Sequence, residues 1–467
     1  MTTVNLDAST PSNKKKHPPG LYVLFFTEMW ERFSYYGLRA MLVLYLTTTF
    51  ISGGLGFSDS SATLIYGFFT GACYFTPLLG GYLTDRFLGR RKAITIGGIA
   101  IAIGNLALFL SQSTTALYIG LGLIIIGNGF FKPNISTLVG ELYPKGDKRI
   151  DSAYTIFYMG INVGGLISPL VVGFLAESLF KTSFMDTITY GYKYGFLASC
   201  IGMIVGQIIF NLLAPRYLGD IGTVPTSQMN VSKTSDKSTS EKAANAPLTK
   251  KEKQRTTVIL IITGFVVFFW AGFEQAGSSL TLYTKHFIDK TIFGWEVPTT
   301  WFQSINPMLI ILLAPLVSML WIKLSNRKRG DISIPTKMGI GMILLGVGYM
   351  VILIAIMKTG SDTNNIVQKA NIMFIVGTYF FHTVGELFLS PVGLSLVNKI
   401  APLKLTSLLM GVWLSSTGIA NIVGGLFASR IKELGFFSVF SVIGLLAIVL
   451  GFVLLAVSKK LVRMADL

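Results

Sequence analysis

Long apolar stretches recur along this 467-residue chain, and short polar segments separate them. A stretch of about 18 or more apolar residues is long enough to cross a bilayer as a helix. The stretches also lack the alternation of membrane β-strands. The pattern therefore predicts an all-α membrane protein with twelve transmembrane helices, at 21–50, 61–83, 93–112, 116–140, 151–176, 191–213, 256–287, 301–323, 335–357, 367–398, 405–429 and 436–458.

One polar segment, residues 215–255, divides the apolar pattern into two equal parts. It is basic and almost free of aromatic residues, which is typical of a flexible linker without folded content. Six predicted spans precede it and six follow. We therefore predict five regions: a tail at 1–20, a six-helix bundle at 21–214, the linker at 215–255, a second six-helix bundle at 256–458, and a tail at 459–467.

The two predicted bundles share short motifs in the same order. NVGGL begins at Asn162 in span 5, and NIVGGL begins at Asn421 in span 11. Span 4 contains FFKPN and span 10 contains FLSPV, so a proline stands at equivalent places. Parallel repeats of six helices are the plan of the major facilitator fold, in which the substrate cavity lies near the membrane midplane between the bundles. The sequence therefore predicts that fold.

The charges support a membrane protein and indicate its orientation. Only 13% of the residues are charged and 51% are hydrophobic, whereas about 25% of residues are charged in soluble domains. Most of the 39 Lys and Arg residues fall in loops on one side of the predicted spans, which places both termini in the cytoplasm. Because the net charge of +17 is scattered over separate loops, it does not indicate nucleic-acid binding. We expect the protein in the plasma or inner membrane.

Four charged residues lie where hydrocarbon should surround the helix. Glu28, Glu31 and Arg32 in span 1 are spaced i, i+3 and i+4, so they share one helix face. Lys132 lies in the middle of span 4, directly before Pro133, which frees a backbone carbonyl and suggests a broken or flexible helix. Buried charges are costly and usually mark an ion or substrate path. A proton on one glutamate would leave a positive site for a substrate carboxylate; the alternative is a structural ion pair.

Two motifs carry a resemblance to a known family. FTEMWERFSYYG in span 1 and FYMGINVGGLISP in span 5 resemble signatures of the proton-dependent oligopeptide transporter family. The resemblance implies a proton-coupled symporter that imports di- and tripeptides by alternating access, works as a monomer and needs no cofactor. Between spans 2 and 3, GGYLTDRFLGRRKA resembles the loop motif of the major facilitator superfamily. The resemblance implies that Asp85 and Arg86 in that loop form a latch on the cytoplasmic side. The alternative is an ordinary basic loop of the kind found on the cytoplasmic side of membrane proteins.

The resemblance also suggests roles for the charged residues. Glu28, Glu31, Arg32 and Lys132 would couple proton binding to transport, and Arg32 and Lys132 would also bind substrate. Glu386 would receive the amino terminus of the peptide; the alternative is that Glu386 and Lys132 form a gate without touching substrate.

Two further charges are assigned to an outer gate. Arg39 and Glu274 have opposite signs and lie nearest the external ends of spans 1 and 7. The resemblance implies that they form the external gate, and a static bridge between the bundles is the alternative.

Uncharged residues complete the predicted cavity. The resemblance implies that the cavity is also lined by Tyr35, Tyr36, Tyr66, Asn162, Trp270, Asn306, Ser390 and Trp413. The alternative for each of them is a packing residue. Their aromatic rings would give apolar walls with polar tips. His382 precedes Glu386 by four residues, and we expect it to be packed or at the lipid interface. Cys73 and Cys200 fall within spans, where we expect them to be packing residues.

Several other classes of protein are disfavoured. GxxxxGK[ST] does not occur, so ATP-driven transport is not indicated, and no zinc, flavin or dinucleotide spacing occurs either. We expect no enzyme activity. Two alternatives remain open: a carrier of another anionic or zwitterionic solute, such as nitrate or an amino-acid conjugate, and a membrane receptor. The chain departs from some members of the family, since span 2 has no histidine and span 7 has a single glutamate.

Overall fold

Long helices make up most of the protein. The computed structural model describes residues 16–144, 146–147, 149–229, 248–327, 331–360, 366, 368–402 and 405–466. The helices of the first half are α1 (Pro19–Thr47), α2 (Asp59–Leu83), α3 (Arg90–Leu110), α4 (Thr114–Glu141), α5 (Ile150–Gly173) and α6 (Tyr192–Tyr217). Short π-helical turns extend α2 over Thr84–Leu88 and α5 over Phe174–Leu179.

The second half repeats this plan after the linker. Its helices are α7a (Lys250–Phe273), α7b (Ser279–Phe287), α8 (Ile305–Ser325), α9 (Ile334–Thr359), α10 (Met373–Ile400), α11 (Thr406–Ser429) and α12 (Ile431–Ala465). A 3-10 segment at Thr299–Ser304 leads into α8. Among the described residues, the helices from α2 to α12 give eleven segments long and apolar enough to span a membrane. With 29 residues α1 is long enough as well, but it carries four charges.

The predicted span 256–287 is not one continuous helix. A 3-10 turn at Glu274–Gly277 separates α7a from α7b. Within that turn, the Gln275 side chain donates to Ala271 O and to Gly424 O of α11, each at 2.9 Å. A Cβ at Gly277 would also lie 1.7 Å from the Tyr66 hydroxyl. Contacts with α11 and α2 thus fix the break, and the apolar pattern alone does not reveal it.

Helix packing confirms the duplication. In the first half α3 packs on α4 and α6, while α1 packs on α5. In the second half α9 packs on α10 and α12, while α7a packs on α11. Each packed pair in the first half therefore has an equivalent pair in the second half, formed by the helices whose numbers are higher by six, as parallel repeats require. The predicted major facilitator fold with two six-helix bundles is confirmed.

The two halves approach each other most closely along α2 and α11. A Cβ at Gly67 would lie 2.8 Å from Asn421 O and 2.8 Å from the Cα of Gly425. At Gly71 it would lie 2.9 Å from Gly418 O. Only glycine permits such a separation, because any side chain would overlap the backbone of the other half.

The ends of the helices form two faces. The hairpin face carries three short sheets, formed by β1 (Thr182–Phe184) with β2 (Thr187–Thr189), β3 (Ile288–Asp289) with β6 (Ala370–Asn371), and β4 (Thr291–Ile292) with β5 (Trp295–Glu296). The β3–β6 pair is parallel and the other two are antiparallel. The linker face carries the α2–α3 loop and the described ends of the linker.

The described ends of the linker depart from the expectation of no folded content. A short helix forms at Thr226–Met229, and α7a begins at Lys250 behind a capping box of Thr249 and Glu252. Thr226 Oγ1 donates to Asp85 Oδ1 at 2.9 Å. Hydrogen bonds to the α2–α3 loop therefore help to order this end of the linker, and the composition of the linker does not predict them. Residues 230–247 lie outside the described part of the chain.

Candidate functional site

A charge cluster on α1 lies inside the first half. Arg32 Nε is 3.1 Å from Glu28 Oε1, and it also donates to Glu31. All three side chains are buried. Among the described residues, Glu28 Oε2, Glu31 Oε1 and Arg32 Nη2 lack hydrogen-bond partners. Two carboxylates therefore share one guanidinium, and burying polar atoms without protein partners is costly, which singles this cluster out as a functional candidate.

Lys132 does not pair with these carboxylates. Its Nζ lies 4.0 Å from the centre of the Tyr74 ring, a cation–π contact. Within the described ranges it forms no ion pair, either with the α1 acids or with Glu386. The helix also continues through Pro133 as part of α4. Of the expected broken or flexible helix, the break is therefore wrong, because α4 runs without interruption from Thr114 to Glu141.

A cavity of about 270 Å³ lies between the halves. Both halves contribute to its wall, and the predicted residues among them are Tyr36, Arg39, Asn162, Trp270, Glu274, Asn306, Glu386 and Ser390. Tyr158 also faces this cavity and is 46% exposed. The site therefore combines aromatic surface with a few polar groups, as small-molecule sites usually do.

Three aromatic residues predicted to line the cavity lie elsewhere. Tyr35 is buried beside Arg32, whose guanidinium carbon is 5.2 Å from the ring centre. Tyr66 is buried with its hydroxyl bonded to Arg39. Trp413 packs so tightly between α10 and α11 that a Cβ at Gly393 would lie 2.1 Å from its ring. None of the three lines this cavity, because each ring packs against a neighbouring helix, and their roles in substrate binding stay predictions.

Glu386 is a carboxylate of the second half that faces the cavity and has no cation partner in the described part of the chain. Asn306 Nδ2 donates to its Oε2 at 2.8 Å and is also 3.0 Å from Thr383 Oγ1. No described residue donates to the other oxygen, Oε1. His382, one helical turn earlier, is buried and packed 4.9 Å from Tyr349 between ring centres. It borders the same cavity, and its Nε2 has no hydrogen-bond partner among the described residues.

An ion pair joins the halves on the hairpin side of the cavity. Arg39 donates from Nη2 to Glu274, and its Nε donates to the Tyr66 hydroxyl at 2.6 Å. Both partners of the ion pair are largely buried. Loss of either partner of a buried ion pair leaves an uncompensated charge and is strongly destabilising. This pair therefore holds α1 against the 3-10 turn between α7a and α7b.

A second layer of hydrogen bonds closes the hairpin face further out. Glu177 accepts from the backbone N–H groups of Thr299 and Thr300, at 2.8 and 3.1 Å. Trp301 Nε1 donates to Leu170 O at 2.9 Å. A carboxylate at the start of the 3-10 segment is favoured by the unpaired N–H groups there. Sequence reasoning missed Glu177 because its partners are backbone groups.

The predicted latch residues occupy the opposite face. Asp85 Oδ1 lies 3.4 Å from Arg90 Nη2, and Arg90 Nη1 lies 2.8 Å from Glu141. Arg86 donates to the Tyr82 hydroxyl at 2.6 Å. These contacts stay within the first half, so in this conformation the loop braces α2, α3 and α4 against one another.

Sequence reasoning also missed several residues of the cavity wall, among them Tyr74, Tyr158, Gln303 and Tyr379. Tyr158 belongs to the span 5 motif, so a signal was present. Gln303 donates to Ala40 O at 3.3 Å and to Thr281 Oγ1 at 3.1 Å. Cys73 and Cys200 are buried free thiols, as expected of packing residues.

A cavity between two repeated bundles, with gate-like contacts on one face, defines a multi-pass secondary active transporter of the major facilitator fold. The comparisons identify the family. A model described as the POT family matches residues 91–219 and 222–443. The chain belongs to this family of transporters, which are not enzymes.

Similar proteins span nearly the whole chain. The "Uncharacterized transporter YclF" of Bacillus subtilis is 35% identical, over 96% of this chain and 95% of that protein. The "Peptide transporter YePEPT" of Yersinia enterocolitica is 34% identical, over 89% and 88%. A solved peptide transporter POT in complex with alafosfalin is 30% identical and covers 96% of each chain, with a TM-score of 0.84.

Proposed function

We propose that this protein is a proton-coupled symporter that imports di- and tripeptides by alternating access. The observation that carries this proposal is the separation of charge across the cavity. Glu386 in the second half keeps one carboxylate oxygen without a donor among the described residues. On the opposite side, the cation Lys132 lies behind the Tyr74 ring, which itself lines the cavity. A zwitterionic peptide has the matching charges at its two ends.

Proton coupling follows from the α1 cluster. With Glu28 and Glu31 both ionised, Arg32 is held by two carboxylates and attracts a substrate anion weakly. A proton on either carboxylate weakens that hold, so the positive potential of Arg32 and Lys132 acts on the peptide carboxylate. Because a doubly charged ligand then binds both halves, it has a higher affinity for a closed state than for an open one.

Alternating access requires the two faces to open in turn. On the hairpin face, the Arg39–Glu274 pair and the hydrogen bonds of Glu177 must break before substrate enters from that side. We propose that this face is external, that both termini are cytoplasmic, and that the protein resides in the plasma or inner membrane. The excess of Lys and Arg in the linker-side loops supports this orientation.

The relatives support a peptide substrate. The Yersinia relative is described as a peptide transporter, and a Lactococcus lactis relative that is 30% identical is described as a di-/tripeptide transporter. Another zwitterionic solute remains the second candidate, since a solved POT family transporter that is 31% identical is in complex with 5-aminolevulinic acid. A plain anion such as nitrate fits less well, because Glu386 would repel it.

The decisive experiment is accumulation of labelled dialanine in proteoliposomes. Under an inward proton gradient, we expect the internal concentration of dialanine to rise above the external one. When a proton ionophore removes the gradient, the two concentrations should only become equal. If dialanine neither accumulates nor exchanges while 5-aminolevulinic acid does, the second candidate replaces the first. Dialanine uptake that is unaffected by the ionophore would refute proton coupling.

A further inference from the structure

A second groove lies on the outer surface of the first half, away from the cavity between the halves. It runs between α3 and α6 and has a volume of about 490 Å³. Its walls are almost entirely apolar, and the side chains that matter here are Ile99, Ile103 and Leu106 of α3 with Ile204, Ile208 and Leu212 of α6. All six are exposed on the outside of the bundle. Because α3 and α6 span the membrane, this groove faces the hydrocarbon of the bilayer.

The stripe on each helix ends in a cation at the linker face. On α3, position 92 lies one turn before 96 and two turns before 99, so Lys92 shares the face of Ile99. On α6, Ile204, Ile208 and Leu212 lead at intervals of four residues to Arg216. Both Lys92 and Arg216 are exposed, and neither forms an ion pair within the described part of the chain.

The two cations are held at the same end of the groove. Arg91, next to Lys92, donates from Nη2 to Ala214 O at 3.2 Å and also to Gly219 O, which ties the start of α3 to the end of α6. Thr95 Oγ1 donates to Asn211 Oδ1 at 2.8 Å across the groove. Arg91 is therefore occupied by backbone carbonyls, whereas Lys92 and Arg216 remain available to a ligand.

We propose that this groove binds an anionic phospholipid of the surrounding bilayer. One acyl chain lies along the apolar stripes of α3 and α6, and the phosphate lies between Lys92 and Arg216. Asn211 lines the groove near its linker-face end, where the glycerol region of the lipid belongs. Tyr217, whose ring centre is 5.6 Å from the Arg216 guanidinium carbon, is suited to the interface at that level. Basic pockets between membrane helices favour anionic headgroups.

Lipid retention in native mass spectrometry tests this proposal. Delipidated protein is incubated with equal amounts of phosphatidylglycerol and phosphatidylcholine that carry identical acyl chains. We expect the wild type to retain phosphatidylglycerol preferentially. Each basic residue near the headgroup contributes about fivefold, so the double variant Lys92→Gln/Arg216→Gln should lose roughly thirtyfold in preference. A double variant with an unchanged preference would overturn the proposal.

The matched control is Lys459→Gln/Lys460→Gln. It removes two exposed cations from the linker-face end of another spanning helix, α12, and should leave the preference intact. An equal loss in this control would show that net charge, and not the groove, selects the lipid.

The acyl chain needs a separate variant. Ile204→Trp fills the groove from its outer side at a position that is 44% exposed, so it leaves the core unchanged and should reduce retention of phosphatidylglycerol. Undiminished retention would show that no chain occupies the groove. Excess inorganic phosphate should not displace the lipid, because it cannot fill the apolar part; displacement would show that the cations bind a free anion instead.

Discussion

The substitution Glu386→Gln tests the proposed amine site most directly. The amide oxygen of glutamine can still accept the Asn306 hydrogen bond, now 2.8 Å long, so the cavity keeps its shape while its charge is removed. A peptide ammonium would lose a charged partner in a buried position, and hydrogen bonds to charged groups contribute about 1.5–3 kcal/mol. That loss corresponds to roughly a ten- to hundredfold weaker binding of peptides with a free amino terminus.

An N-acetylated peptide provides the internal comparison. It carries no ammonium, so the substitution should cost it about 1 kcal/mol at most. The assay is competition of dialanine and N-acetyl-dialanine against labelled peptide exchange in proteoliposomes. We expect the preference of the wild type for the free amine to collapse in the variant. Glu433→Gln on the surface is the control, since it makes the same chemical change outside the cavity. If Glu386→Gln keeps the full preference, the amine binds elsewhere and the proposed orientation of the peptide is wrong.

Three further predictions concern coupling and closure. Glu31→Gln should abolish proton-driven accumulation while substrate exchange persists; uphill uptake by this variant would exclude the residue from coupling. Glu274→Gln leaves the buried Arg39 without its carboxylate, which costs about 3–5 kcal/mol and should favour opening of the hairpin face. A cysteine introduced by Ala276→Cys in the cavity wall should then react faster with a thiol reagent applied to that face. An unchanged rate would contradict the gate. Burial would raise the pKa of Glu296, but two neighbouring lysines hold it below its ordinary value. Its ion pair with Lys181 across the halves therefore stabilises the protein at neutral pH and is lost as the pH falls through this lowered pKa. The melting temperature of Glu296→Gln should therefore fall less on acidification than that of the wild type. An equal fall in both proteins would contradict this.

The apolar pattern was sufficient for the fold because a spanning helix must satisfy its own backbone hydrogen bonds in lipid. Glu28, Glu31 and Arg32 were grouped correctly for a similar reason, since spacing along one helix fixes which side chains meet. The helix ends were less certain. Span 1 was predicted to end at 50, whereas α1 ends at Thr47. The predicted start of the last span at 436 agrees with the kink at Gly435, which separates the first residues of α12 from its spanning part.

Contacts between helices were much harder to predict. The direction in which a helix presents each residue to its neighbours depends on packing that no local pattern records. Lys132 was grouped with the α1 acids by its proposed role, but no pattern in the sequence shows that α4 presents it to the Tyr74 ring of α2. Trp413 was assigned to the cavity by resemblance, but it fills the space next to Gly393. Glu177 had no signal at all, because its partners are amide groups that every sequence possesses.

The glycine contact between α2 and α11 has a kinetic consequence. Side chains of packed helices normally interlock as ridges and grooves, and sliding them requires many rotamers to change together. Where Gly67 and Gly71 meet Gly418 and Gly425, backbone lies on backbone, so the halves can rotate there with few such changes. The slow step of reorientation should then arise at the two faces, where ion pairs and hydrogen bonds break. In the proposed alternating access, the glycine contact therefore serves as the axis of rotation, and we expect the contacts at the two faces to set the turnover rate.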